Sequence, residues 1–234
     1  MYHFLMTTGL YFITLPPPPD FNGHDYVDLG LPSGTLWATM NVGASKPSDY
    51  GQYFQWGDTI GYTADQVGTG EGLHKFSSDW SDYKWYLSTH EEWDEEQESF
   101  VDIIEFRKYA TPGVTLDLED DAAHVNMGGD WHMPTPEQCQ ELISNTTFEE
   151  ERLDDKTLIK CTSKKDDSKF IFFSQPGCVE DSAIPVGRNC WIWSTMLLNN
   201  YRAYNLIIKD SYAYLSDSSR SLGLPVRGVI GQIK

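Results

Sequence analysis

The second half of the chain is dominated by short apolar runs of strand length, Leu158–Thr162, Phe170–Phe173, Trp191–Ser194, Ala203–Ile208 and Val226–Ile230, and this succession most constrains what the chain can fold into. Two helical patterns precede them. Asp117 can cap a helix over Leu118–Met127, with Asp120 and Asp121 favoured in its first turns by the macrodipole and Gly128-Gly129 stopping it. Thr135, Pro136 and Gln138 form a capping box with proline at the first helical position, and Cys139, Leu142 and Ile143 supply the apolar face that follows. Helices first and short strands afterwards argue for an α+β protein rather than a wound parallel sheet.

The chain opens with an apolar stretch, Phe4–Leu15, followed by Pro16–Pro19, a stiff extended spacer. No Lys or Arg precedes the apolar stretch and no small-residue cleavage site follows it. It is therefore expected to be an arm that packs on a neighbouring copy or on the domain, with a signal peptide as the alternative. Residues 1–25 are accordingly set apart from a domain over 26–234. Within that domain Tyr26–Leu31 and Leu36–Val42 read as a hairpin around Pro32-Ser33-Gly34, and Tyr50–Trp56 continues in the same aromatic manner. An irregular insertion is expected around residues 60–115, and its acidic run Glu91–Glu98 reads as a solvated helix face or loop.

A formal charge of -18, from 35 acidic against 17 basic residues, excludes a phosphate-binding footprint and disfavours anionic lipid, so no nucleic-acid partner and no membrane insertion are expected. No apolar run is long enough to cross a membrane as a helix. Cys139, Cys161, Cys178 and Cys190 lie 22, 17 and 12 residues apart, which matches no zinc-ligand spacing. They read as mostly buried free thiols, with a Cys178–Cys190 disulfide left open. The six histidines form neither an HExxH motif nor an i, i+4 pair.

Between Asn199 and Ser221, 14 of 23 residues are Asn, Tyr, Asp or Ser. Tyr offers a large rigid contact area at low entropic cost and the small polar residues offer adaptable hydrogen bonds, which is the chemistry of antibody paratopes. The same residues also make ordinary turns and polar sheet edges.

The stretches Tyr26–Ala44 (YVDLGLPSGTLWATMNVGA), Tyr50–Asp58 (YGQYFQWGD) and Gly128–Thr135 (GGDWHMPT), with Trp193–Thr195 (WST) and Val226–Val229 (VRGV), resemble a set of Bacteroidales and gut-phage proteins whose domain adopts a C-type lectin fold. The resemblance implies an α+β, C-type lectin-like fold in which the N- and C-terminal strands pair, two helices flank short, mostly antiparallel strands, and a long loop region displays the ligand surface. This set includes the variable proteins of diversity-generating retroelements, in which adenine-directed rewriting of Asn codons yields Tyr, Asp, Ser and His. It also includes fixed-sequence surface proteins.

Carried onto this chain, the resemblance makes Trp193–Thr195 and Val226–Val229 scaffold. It makes Asn199, Asn200, Tyr201, Arg202, Tyr212, Tyr214, Ser216, Asp217, Ser218 and Ser219 ligand contacts, flanked by Asn189 and Trp191. Alternation marks Ala203, Leu206 and Ile208 as structural. Met196, Leu197, Leu198, Leu222 and Leu224 depart from the polar pattern and read either as variants or as core.

The motifs of calcium-dependent sugar binding are missing, since Gln175-Pro176-Gly177 lacks a side-chain oxygen at its third position. No cofactor is expected, although the acidic loops leave room for a structural Ca²⁺. Formylglycine-generating enzymes, the enzymatic alternative, need two closely spaced cysteines that Cys178 and Cys190 do not provide. His132 is expected to make a structural hydrogen bond. The function expected is receptor or ligand binding without catalysis, at a virion or cell surface, toward a protein or glycan receptor, with homo-oligomerisation through the arm as an option. A fixed cell-surface or pilus-associated structural protein is the second reading.

Overall fold

The computed structural model describes residues 21–153, 155–181 and 189–231, so the apolar arm, the polyproline spacer and any oligomerisation through them lie outside the described residues. The chain begins with β1 (Tyr26–Val27), β2 (Leu36–Asn41) and β3 (Tyr53–Phe54), followed by β4 (Tyr86–Asp94) and β5 (Ser99–Phe106). Helices α1 (Ala122–Met127) and α2 (Pro136–Asn145) come next. The remaining strands are β6 (Thr146–Leu153), β7 (Lys156–Ser163), β8 (Phe170–Phe173), β9 (Cys190–Leu197), β10 (Arg202–Lys209), β11 (Tyr212–Ser219), β12 (Leu224–Pro225) and β13 (Arg227–Ile230).

These strands form five small antiparallel sheets, ordered β1-β2-β13, β11-β10-β9, β12-β3, β4-β5 and β6-β7-β8. Strand makes up 43% of the structure and helix 11%, so the protein is mainly β and the expected α+β class is wrong. Three local causes account for the difference. The insertion contains a regular hairpin, because Val101, Ile103 and Ile104 favour a pleated backbone that pairs with Thr89–Glu92. The acidic run becomes the end of β4 and its turn, in which Asp94 Oδ1 accepts from the amides of Glu96 and Gln97. Finally, the first helix is shorter than expected. Leu118–Asp120 is a 3-10 turn, and Asp121 rather than Asp117 caps α1 by accepting from His124 N at 2.9 Å. Asp121 also accepts from Met133 N at 2.8 Å, a bond that fixes the chain direction after the helix and that local sequence does not reveal.

The other helix signals act where they stand. Gly128, at φ 70, ends α1, and Thr135 Oγ1 accepts from Gln138 N while the Gln138 side chain bonds back to Thr135 N. Gly51, at φ 76, is required by space as well as by conformation, because a Cβ there would lie 2.5 Å from the Val42 carbonyl.

β13 lies beside β2, with Val229 opposite Trp37, so the first and last strands of the described chain, β1 and β13, flank β2 in one sheet. One core cluster gathers around Trp56, Trp131 and Trp193, the other around Trp37, Leu142, Phe173, Ile192 and Leu206. Burial of each such side chain contributes about 1.5–3 kcal/mol. Trp56 and Trp193 are cross-tied: the Trp56 indole donates to Ser194 O at 2.8 Å and the Trp193 indole donates to Phe54 O at 2.7 Å. Arg227 is fully buried beneath the β2 backbone, donating to Asn41 Oδ1 and Ala38 O, with its guanidinium 4.6 Å from the centre of the Phe173 ring. Burial lowers its pKa to about 10. The four cysteines are free, with Cys139, Cys161 and Cys190 buried.

Candidate functional site

The residues expected to contact a ligand fall on the β9-β10-β11 sheet and its connections. Antiparallel register puts Ile207 opposite both Trp191 and Tyr214, and Lys209 opposite Tyr212. Since side chains alternate between faces, Trp191, Ile207, Lys209, Tyr212 and Tyr214 share one face. The other face carries Cys190, Ile192, Leu206 and Ile208 into the core, with Ala213 and Leu215 packed against it. Tyr212 and Tyr214 are 52% and 36% exposed. Their rings stack at 6.0 Å with an interplanar angle of 17°, and Lys209 Nζ lies 5.6 Å from the centre of the Tyr214 ring. The Tyr214 hydroxyl, followed by the Tyr212 and Asp210 charges, raises the Lys209 pKa.

Other expected contact residues are engaged by the protein itself. Asn199 Oδ1 accepts from the amides of Tyr201 and Arg202, which makes it the turn residue between β9 and β10. Arg202 pairs with the Asp217 carboxylate and also donates to the Asp217 carbonyl at 2.8 Å. Ser218 is buried and accepts from Asn205 Nδ2. Ser219 shares a hydroxyl contact with Ser221, Asn189 is partly buried with its carbonyl bonded to Gly177 N, and Asn200 is exposed. Ser216 sits opposite Asn205, on the same face as the tyrosines. Ala203, Leu206 and Ile208 are fully buried. Of the hydrophobic residues that break the polar pattern, Leu197 and Leu224 are core, while Met196, Leu198 and Leu222 are partly buried. The chain matches no protein-family model, and no curated protein and no solved structure is similar to it.

Sequence reasoning missed the support beneath Tyr201. Its ring packs edge-on against Trp80 and Phe106, with centroids 6.4 and 6.1 Å apart, at the root of the β4-β5 hairpin. Beside this cluster Arg220, fully buried, donates from Nε to Tyr83 Oη at 2.7 Å and from its terminal nitrogens to the carbonyls of Tyr109, Asn200 and Lys108 at 2.7, 3.1 and 3.1 Å. Its guanidinium stands 4.2 Å from the Phe106 ring centre, and burial holds its pKa below the usual guanidinium range. A lone Arg amid serines reads as solvated, so no sequence signal pointed to it.

Among the described residues, Asp117, Glu119 and Asp120 are the acidic group close enough to share an ion, and oxygen donors of this kind suit a hard cation. Lys108 Nζ stands among them, at 2.7, 3.2 and 2.6 Å, and Lys84 Nζ lies 2.9 Å from Asp120. The two ammonium groups offset two of the three carboxylate charges and occupy the space between them. His132 is buried, with Nδ1 2.7 Å from Met133 O. Burial raises the thiol pKa of Cys190 to about 12 and also raises that of Cys178, which keeps both protonated. Two clefts, of about 170 Å³ beside Met40 and Met127 and about 610 Å³ beside Lys165 and Asp167, are lined by residues outside β9–β11. On the tyrosine face itself Ile207 and Asn205 are buried, so its exposed aromatic part is the Tyr212–Tyr214 pair on β11. Among the described residues, no helix is long and apolar enough to cross a membrane.

Proposed function

We propose that this chain is a non-enzymatic binding protein that presents the Tyr212–Tyr214 face of the β9-β10-β11 sheet to a protein or glycan receptor at a virion or cell surface. The observation that carries this reading is the exposed, mutually stacked tyrosine pair on a strand whose opposite face is locked in the core. Rigid aromatic anchors on a fixed scaffold lose little entropy on binding, which is how a small contact area yields affinity. The protonated cysteines support a reading without thiol chemistry.

The motif resemblance extends the proposal to a diversity-generating retroelement target, in which Tyr212, Tyr214 and Ser216 occupy positions that change without disturbing the core. The runner-up is a fixed-sequence surface or pilus-associated protein. It is favoured by Asn199, the Arg202–Asp217 pair and Ser218, whose polar groups are used internally.

The deciding experiment replaces Tyr212→Ala and Tyr214→Ala together and measures both receptor-bearing cell binding and melting. Roughly tenfold or greater loss of binding with unchanged melting is the expected result. Loss of stability with retained binding would place the tyrosines in a structural role. Sequencing many copies of the gene's 3′ end with its neighbourhood tests diversification: an invariant end without a reverse transcriptase and template repeat overturns that part.

A further inference from the structure

Between Tyr86 and Phe106 the chain carries eight carboxylates and neither Lys nor Arg. Among the described residues β4 and β5 pair with each other and with no other strand, so in the described structure both outer edges and much of the surface of this ribbon meet solvent. The chain hides its tryptophans fully or partly except for one, Trp93, which is 55% exposed. Phe100 lies directly opposite it and is 65% exposed, the two rings meeting edge to face at 5.3 Å. Two residues along the same face Glu91 sits opposite Asp102, a like-charge cross-strand pair that costs stability. Among the described residues neither has a cationic partner. Exposed aromatic rings and opposed carboxylates are both unfavourable in the isolated protein, and one kind of ligand relieves both.

We propose that the β4-β5 hairpin is a docking arm for a basic protein segment, in which arginine or lysine side chains lie over the Trp93–Phe100 pair and reach between Glu91 and Asp102. Cation–π attraction supplies the contact to the rings, and carboxylate pairing neutralises the opposed charges. The open strand edges offer main-chain hydrogen bonds to an extended segment. The same hairpin of a second copy is excluded as the occupant by charge, since it would set eight carboxylates against eight. The acidic field also steers a cationic partner to the arm. This surface is separate from the Tyr212–Tyr214 face, although its root touches Tyr201.

The test uses the full chain and a fluorescein-labelled peptide of alternating arginine and valine, read by anisotropy across a salt series. Trp93→Ala with Phe100→Ala is expected to weaken binding roughly five- to tenfold. Glu91→Gln with Asp102→Asn is expected to weaken it and to flatten its salt dependence. Glu71→Gln with Asp167→Asn removes the same charge elsewhere and is expected to leave affinity within about twofold. All these side chains are exposed, so each variant stays folded, with melting slightly raised by Glu91→Gln with Asp102→Asn and slightly lowered by Trp93→Ala with Phe100→Ala. Equal weakening by the distant pair, or no binding by the unaltered chain at low salt, overturns the proposal. Unchanged peptide binding in the Tyr212→Ala, Tyr214→Ala protein separates this arm from the receptor face.

Discussion

Replacing Arg220 by methionine keeps most of the side-chain volume while removing its charge and four hydrogen bonds. Tyr83 Oη still donates to Trp56 O, so it is not orphaned. The Tyr109 carbonyl bond is fully buried, and leaving that group unpaired costs about 1–3 kcal/mol. The bonds to Asn200 and Lys108 are partly buried, and water replaces them at a cost of about 0.5–1 kcal/mol each. Part of this loss is offset because the variant no longer desolvates a guanidinium that has no carboxylate partner. The net expectation is a destabilisation of roughly 2–4 kcal/mol, or about 4–16 °C in melting temperature for a chain of this size. Arg220→Lys, which keeps the charge but not the planar fork, is expected to fall between. Thermal unfolding followed by near-ultraviolet dichroism measures the shift. Hydrogen exchange would show faster exchange at residues 199–202 and at the hairpin root, which Arg220 ties together. If Arg220→Met melts within about 1 °C of the parent with unchanged exchange, the reasoning about unpaired buried carbonyls fails.

Two further predictions concern pH. Burial opposes ionisation of Asp120, but hydrogen bonds from Lys108, Lys84 and Tyr109 prevail and hold its pKa below the ordinary carboxylate value. Its contribution is therefore present above about pH 4 and is lost as pH falls through the lower folded value, so the melting gap between parent and Asp120→Asn should close on acidification; a gap that widens refutes this. His74 stacks on Tyr62 at 3.8 Å, and burial lowers its pKa despite the opposing charges of Asp82 and Asp58. Its stabilising effect is thus present above the unfolded value of about 6.5 and is lost as pH falls through the depressed folded pKa, and an NMR titration midpoint at or above about 6.5 would contradict the packing described.

The features that sequence disclosed are those decided within a few residues. The Thr135–Gln138 box and the Gly128 stop are closed local circuits of side chain and backbone; Ala203, Leu206 and Ile208 are buried as expected, but alternation is not the reason, since Asn205 and Ile207 between them are buried too and Ala203 packs in a different core cluster. What escaped depends on distant partners. Sequence places the cap at Asp117, whereas Asp121 caps α1 and also accepts from Met133 N, a partner that local sequence does not show. Glutamates disfavour strands, so the acidic hairpin emerges only when β5 is set beside β4. The polar-aromatic run forms the neighbouring strands β10 and β11. Which of its residues face solvent was not legible, because Asn199, Arg202 and Ser218 find partners through turn geometry and cross-strand register.

The pairing of β13 with β2 has a consequence for how the protein is made. Arg227 and Asn41 are joined across 186 residues, and the strand opposite Trp37 is among the last parts of the described chain to be synthesised. At a ribosome's pace of about 5–20 residues per second, the first sheet waits roughly 10–40 s for its third strand. During that interval Trp37 lacks its Val229 partner, and the open edge of β2 is a place where other chains can pair. Closure of this sheet is therefore a late event, and truncation just before Arg227 should leave a nascent chain that depends on chaperones.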